Sequence, residues 1–337
     1  MVETVASVQK RRLPLGLDRF EYTLIALAVG LPVFFSVLTP KFLTPFNIST
    51  VMLTFALYYL ASMGESFVIM SGALDLSVAG VLSLSGVVSA MVICNCSTIV
   101  PAIEGSVPVT TIIESIGLAL LVSVGIGALN AFLVLKTKIP SFLATLGTLN
   151  VALGIGNLLS PSGLGLPLSH QLDFLLTPIV PGVPTFFLWA IGGALVLWYV
   201  ARQTSFGWKV YSIGSSDRSA ALSGINLNRT RAYVFLLSAF LAGVAGILYN
   251  AYVEAASPTE GQSLLFFAMI IVLLGGTSMN GGSGGPHRTI LGAFILEVIL
   301  NGLALEGIQP WAIDVLEGAI IILVMISLSR GIKTLVA

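Results

Sequence analysis

An all-α protein that crosses a membrane many times is the fold class this sequence predicts, and three observations predict it. Of 337 residues, 56% are hydrophobic and 9% charged, against roughly a quarter charged in an ordinary soluble domain. Uncharged windows of about 20 residues, the length a helix needs to cross a bilayer, recur along nearly the whole chain. The few charges are also sorted. With the N-terminus inside, Lys10, Arg11, Arg12, Arg19, Lys136, Lys138, Arg202, Lys209, Arg218, Arg229, Arg231, Arg288, Arg330 and Lys333 fall on the cytoplasmic side, and only Lys41 falls outside. Basic residues stay in the cytoplasm, and one missed helix would scramble so one-sided a pattern, so helix count and orientation support each other. Glu104, Asp173, Glu254, Glu260 and Glu306 lean to the outer side.

The expected spans are 21–38, 47–70, 77–95, 111–135, 140–160, 183–201, 231–252, 263–279, 289–305 and 311–329, about ten transmembrane helices with both termini cytoplasmic. Residues 1–20 form a basic cytoplasmic lead, read as a topology signal or as an anchor for lipid headgroups. No small-x-small cleavage site follows the apolar run after Arg19, so the first helix is expected to remain. Residues 21–337 then make one transmembrane domain. Cys94 and Cys96 are too close in sequence for good disulfide geometry and too few for a metal site, and read as helix-end packing.

Between the second and third helices, Glu65 and Asp75 sit in or beside hydrocarbon, where a charge at mid-helix costs about 2.5–3.5 kcal/mol on the insertion scale. Gly72 just before LeuAspLeuSer predicts a helix break, with Asp75 or Ser77 capping the next helix. Asn150 and Asn157 share one face of the fifth helix, and Asn301, Glu297 and Glu317 lie in the last helices. Glu65, Asp75, Ser77, Asn150, Asn157 and Asn301 are therefore candidates for a translocation pathway or gate, with interhelical packing as the alternative. Ala239, Gly243 and Gly246 have the small-residue spacing of close helix packing. The outer segment Ser160–Pro184, with His170 and Asp173, reads as a connecting loop that could receive a soluble partner.

The interval Arg202–Arg231 is the one long polar stretch. Within it, residues 215–225 are expected to form one short helix: Ser215 or Ser216 as N-cap, Asp217 in the first turn, Ala220 and Ala221 small enough for another protein to approach closely, and Gly224 ending it. The Gly-rich run 273–293 invites a phosphate-loop reading but has neither GxxxxGK[ST] nor its lysine. No such motif occurs anywhere, so the chain is not expected to hydrolyse ATP.

Four stretches carry a family resemblance. The run GlyTrpLysValTyrSerIleGlySerSerAspArgSerAlaAlaLeuSerGlyIle (207–225) looks like the cytoplasmic coupling segment of ABC-importer permeases of the ribose and monosaccharide class. SerGlyAlaLeuAspLeuSerValAlaGly (71–80) is similar to that family's GlyGlyIleAspLeuSerValGly signature, departing at Ser71, Ala73 and Ala79. Residues 128–149 resemble its pattern around IleProxPhexxThrLeuGly, and 237–248 its SerGlyxLeuAlaGlyxAlaGly pattern. The GlyGlyThrSer…GlyGly element is a structural turn in that family, with ProHisArg at 286–288 as a local departure.

The resemblance covers roughly 47–329. It implies a type II (vitamin-B12-importer-like) permease in a prokaryotic inner membrane; separately, Gly125–Pro140 and Gly292–Pro310 share a rough GlyAla…Asn…Pro order that hints at an inverted repeat of helices 2–5 and 7–10. It also implies that the coupling segment 202–231, through Ser216, Asp217, Arg218, Ala220, Ala221, Ser223 and Gly224, contacts a separate ABC ATPase subunit that carries ATP and Mg. Further implied partners are an extracytoplasmic sugar-binding protein, a second permease copy or paralogue, and membrane lipid, but no nucleic acid; the chain itself binds no cofactor or metal. Two alternatives stay open: an ion-coupled secondary transporter using Glu65, Glu297 and Glu317, and a related permease for branched-chain amino acids or nucleosides.

Overall fold

The computed structural model describes residues 19–94, 107–160, 166–167, 172, 175–309, 311–320, 322–323 and 326. The basic lead 1–18, Cys96, His170 and Asp173 lie outside them. In chain order the helices are α1 (Arg19–Leu38), α2 (Pro45–Met70), α3 (Val78–Cys94), α4 (Val109–Lys136), α5 (Ser141–Leu159), α6 (Thr185–Gln203), α7 (Ser205–Ser215), α8 (Asp217–Leu222), α9 (Leu227–Val253), α10 (Gly261–Leu274) and α11 (Pro286–Leu305), followed by helical residues 311–320. Seven are long and apolar enough to cross a membrane: α1, counted from Phe20, with α2, α4, α5, α6, α9 and α11. The apolar helices α3 and α10 are shorter, 17 and 14 residues. One minimal ladder departs from the all-helical plan: β1 (Leu166–Pro167) pairs antiparallel with β2 (Ala255–Ala256).

Helix ends follow local chemistry. Pro45 opens α2 at a position where its missing N–H costs nothing, behind Thr44, whose hydroxyl accepts the Asn47 N–H. α9 begins at Leu227, earlier than the expected 231, because the Asn226 side chain caps it, accepting the Arg229 N–H at 2.9 Å. α10 stops at Leu274, short of the expected 279, where Gly275 and Gly276 (φ +80°) turn the chain.

The bundle is organised around α9, which packs against α2, α3 and α4. α3 is buried on nearly every side, as a helix apolar all round should be. Lipid gives apolar helices no hydrophobic reason to associate, so close approach of small residues supplies the contact. A Cβ placed on Gly246 would lie 2.1 Å from the Leu82 carbonyl oxygen, and one on Gly243 2.4 Å from Ser123 Oγ. The stripe Ala239, Gly243, Gly246 is thus a packing face. Cys94 corrects an expectation: it is disulfide-bonded rather than merely packed.

Candidate functional site

The 202–231 interval holds two helices where the sequence reading expected one. α7 was missed, although Gly207, Val210 and Ile213 recur at i, i+3, i+6 and are the residues it buries. α8 is the short helix expected. The Ser216 hydroxyl accepts the Ser219 N–H at 3.2 Å. Gly224, at φ +78°, ends it with paired bonds from Gly224 N–H to Ala221 C=O and from Ile225 N–H to Ala220 C=O, the Schellman arrangement.

The structure divides the expected contact residues of α8. Asp217, Arg218, Ala221, Ser223 and Gly224 are exposed and Ser216 half-buried, but Ala220 is only 3% exposed. Ala220 therefore packs within its own chain and is not available to a partner, which corrects its inclusion. The residue overlooked is Leu222, 83% exposed, a large apolar side chain at the tip of a polar helix. Its signal was the lone apolar position in DRSAAL that α8 cannot turn inward together with Ala220.

A hydrogen-bonded tie joins α8 to the membrane-embedded part. Arg231 Nη2 donates to Asp217 Oδ1 at 2.7 Å and lies 3.3 Å from the Ser71 carbonyl oxygen, at the end of α2. The same α2 end receives a hydrogen bond from the Gly-rich loop, Gly282 N–H to Met70 C=O at 2.9 Å, and Tyr211 on α7 donates to the Gly284 carbonyl at 2.7 Å. Gly214 makes this junction possible: a Cβ there would stand 1.8 Å from the Met70 oxygen. The Gly-rich run is accordingly a turn wedged between α2 and α7. Within it His287 Nε2 accepts from Arg202 at 2.8 Å, and Arg288 pairs with Glu21 of α1 at 2.7 Å.

Just past that junction, Gly72 (φ +78°) breaks the chain between α2 and α3, and the break carries a buried polar network. Asp75 Oδ1 accepts from Ser77 N–H at 3.0 Å, from Ser77 Oγ at 2.5 Å and, more distantly, from Asn130 Nδ2 at 3.5 Å; Oδ2 accepts from Ser238 Oγ at 3.0 Å. Asn130 also donates to Ser77 Oγ at 2.7 Å and accepts from Thr148 at 2.5 Å, and the Thr145 hydroxyl accepts the Leu76 N–H at 3.0 Å. Glu65 Oε1 accepts the Asp75 N–H at 3.3 Å, while its Oε2 has no hydrogen-bond partner among the described residues. Asn130 and Thr148 were not singled out in the sequence, and Thr145 and Ser238 stood there only as letters of the family patterns, with no role given.

The remaining candidates are not part of this network. Asn150 and Asn157 lie on the outward face of α5, each returning its amide to the carbonyl four residues back. Asn301 forms a reciprocal amide pair with Asn47, at 2.9 and 3.0 Å, that joins α11 to α2. Glu297 accepts from Thr54, eleven residues along α2 from Glu65 and so about 16 Å away. Among the described residues no three acidic, histidine or cysteine side chains gather into a metal-holding cluster.

Comparison with known proteins follows the same stretches. A family model described as "Branched-chain amino acid transport system / permease component" matches residues 47–325. The chain is 31% identical over 301 residues to the ribose import permease protein RbsC of Bacillus subtilis, covering 88% of each chain. It is 31% identical over 301 residues to the D-allose transport system permease protein AlsC of Escherichia coli K12 (89% and 88% covered) and 30% identical over 309 residues to the ribose import permease protein RbsC of that strain (90% and 92%). No solved structure matches the chain.

Proposed function

Because the chain belongs to the branched-chain amino acid transport system / permease component family of ABC importers, we propose that it is the transmembrane subunit of an ATP-driven importer for a ribose-type monosaccharide. The sugar reading follows the relatives, which are named for ribose and D-allose, over the amino acids in the family's description. One observation carries the coupling role: α8 is a short capped helix that packs inward through Ala220 and offers Ala221 and Leu222 outward while Arg231 fastens it to the end of α2. A helix that is polar apart from one exposed leucine gains by burying that leucine against another protein.

In this reading the chain works as one of two permease subunits with two ATPase subunits, which hold ATP and Mg, and an extracytoplasmic sugar-binding protein. The membrane is the prokaryotic inner membrane, the helices number ten in a type II arrangement, and both termini are cytoplasmic. The pathway runs between the two permeases along the outward face of α5, where Gly147, Asn150, Gly154 and Asn157 leave small and polar surface that the chain does not cover itself. Closure of the ATPase pair would shift α8, and the shift would reach the Gly72 break and alternate access to the pathway.

The test is co-expression of the chain with an ABC ATPase and a ribose-binding protein, purification in mild detergent, and reconstitution into liposomes. Ribose uptake that requires internal-face ATP and all three components is expected. Uptake by the chain alone, driven by a proton or sodium gradient, would replace the importer reading with the secondary-transporter one.

A further inference from the structure

Between α7, the end of α8 and the start of α9 lies a cleft of about 530 Å³. We propose that it binds the phosphate of an anionic phospholipid headgroup from the adjoining leaflet. Two cations line it, Lys209 and Arg229, and no acidic residue does. Both are exposed, and neither forms an ion pair among the described residues, in contrast to Arg231 and Arg288, which are neutralised by Asp217 and Glu21. Basic pockets between membrane helices at the surface of a bilayer suit anionic headgroups.

Arg229 is set for the task. Its Nε–H donates to Tyr233 Oη at 3.2 Å and its guanidinium stands 5.7 Å from that ring, which holds the plane and leaves both terminal nitrogens without a hydrogen bond among the described residues. A planar fork of that kind meets two phosphate oxygens at once, while Lys209 adds a point charge. Asn226 and Thr230 contribute polar groups to the wall.

The cleft is also at the right depth. α6 ends at Gln203 and α9 starts at Leu227, and both are long and apolar enough to span, which puts residues 204–226 and the first turn of α9 at the membrane surface. Exposed Trp208 and Tyr233, 70% and 47% accessible, are aromatic residues of the kind that mark that level. Below Tyr233 on the same face of α9 come Leu236 and exposed Phe240, an apolar track on which an acyl chain can lie. A free phosphate would use the headgroup site and leave this track bare. The inference needs only that α6 and α9 cross the membrane; it does not depend on the transport reading.

The experiment uses the full chain, reconstituted in vesicles of phosphatidylcholine and phosphatidylglycerol in equal parts, re-extracted in mild detergent and weighed intact with its retained lipid. The wild-type chain is expected to keep phosphatidylglycerol that Lys209→Gln/Arg229→Gln releases, with about thirtyfold weaker binding in the double variant. Each single variant should fall between, and since both side chains are exposed, elution in detergent should not change. Equal retention by wild type and double variant overturns the proposal. So does displacement of the lipid by inorganic phosphate at equal concentration, which would make this a free-phosphate site. Loss of ATPase co-purification with lipid retention unchanged overturns it as well, because the cleft would then receive an acidic side chain of that partner.

Discussion

A single nitrogen of Arg231, Nη2, stands 2.7 Å from Asp217 and 3.3 Å from the carbonyl oxygen of Ser71. It is the residue at which the exposed helix α8 meets the end of α2, four residues before Asp75. With side chains 21% and 50% accessible, the ion pair itself adds little to stability, about 0–1 kcal/mol. Its weight lies in position.

Arg231→Met keeps most of the stem and removes both contacts. The chain should still extract at wild-type size and still hold its ATPase, because α8 keeps its Ser216 cap and its exposed face. Transport per ATP hydrolysed should fall about tenfold or more, and nucleotide should no longer alter hydrogen exchange at 71–78. Arg231→Lys keeps the charge for Asp217 on a shorter side chain that does not carry its nitrogen as far as the Ser71 oxygen, and should lie between. Wild-type transport per ATP in Arg231→Met would remove Arg231 from the coupling route.

The Asp75 network sets a second expectation. Asp75→Ala leaves the Ser77 N–H, the Ser77 hydroxyl and the Ser238 hydroxyl as buried donors that have lost their acceptor, each such group costing about 1–3 kcal/mol, while Asn130 keeps Ser77 Oγ. Asp75→Asn keeps Oδ1 for Ser77 and Asn130, and the Ser238 hydroxyl can turn to accept from the new amide. The alanine variant should lower the melting temperature of the detergent-extracted protein and the asparagine variant should lower it much less. Equal and severe loss of transport in both, with both folded, would assign the work to the negative charge instead.

Much of this was legible in the sequence, for local reasons. The Gly72 break, the Ser216 cap and the Gly224 stop each depend on residues within a few positions of one another, and the helix positions depend on runs of apolar residues. The partners of Asp75 were not legible because Asn130 and Ser238 come from 55 and 163 residues away. A lone asparagine in α4 was the available signal for the first; a serine in a membrane helix usually satisfies itself on the preceding turn and signals little. Asn150 and Asn157 show the complementary limit. Spacing put them on one face correctly, but only the rotation of α5 decides that the face points away from the bundle.

Gly214 tests the junction that seats α7 on the membrane domain. A methyl group there would overlap the Met70 oxygen at 1.8 Å and crowd the Gly282 nitrogen at 2.4 Å, the two atoms of the hydrogen bond that closes the α2 end on the Gly-rich turn. Neither neighbour is a flexible side chain, so backbone must move, at about 1–3 kcal/mol. Gly214→Ala should therefore lower thermal stability measurably and raise protease cleavage in 275–285. Gly224→Ala meets no atom within 4 Å and should cost only the strain of a left-handed alanine, about 1 kcal/mol, with no effect on that loop.

Ala220 and Ala221 are neighbours with opposite surroundings, and the pair separates folding from docking. Ala220 is buried in its own chain and Ala221 is exposed beside Leu222. An arginine at 220 must displace α8 from α7 and α9, so Ala220→Arg should disturb the chain alone, seen as proteolysis of 202–231 without any partner. An arginine at 221 projects into water in the free chain, and Ala221→Arg should leave expression, detergent-extracted size and melting unchanged. Docked on an ATPase, the same side chain brings about six extra heavy atoms and an unpaired charge into a packed contact, a cost of several kcal/mol and hence orders of magnitude in affinity. Leu222→Asp should act in the same direction by removing the apolar contact. Loss of ATPase co-purification and of substrate-stimulated hydrolysis is expected in Ala221→Arg and Leu222→Asp. Full retention of both in both variants would mean that the partner does not sit on this face of α8.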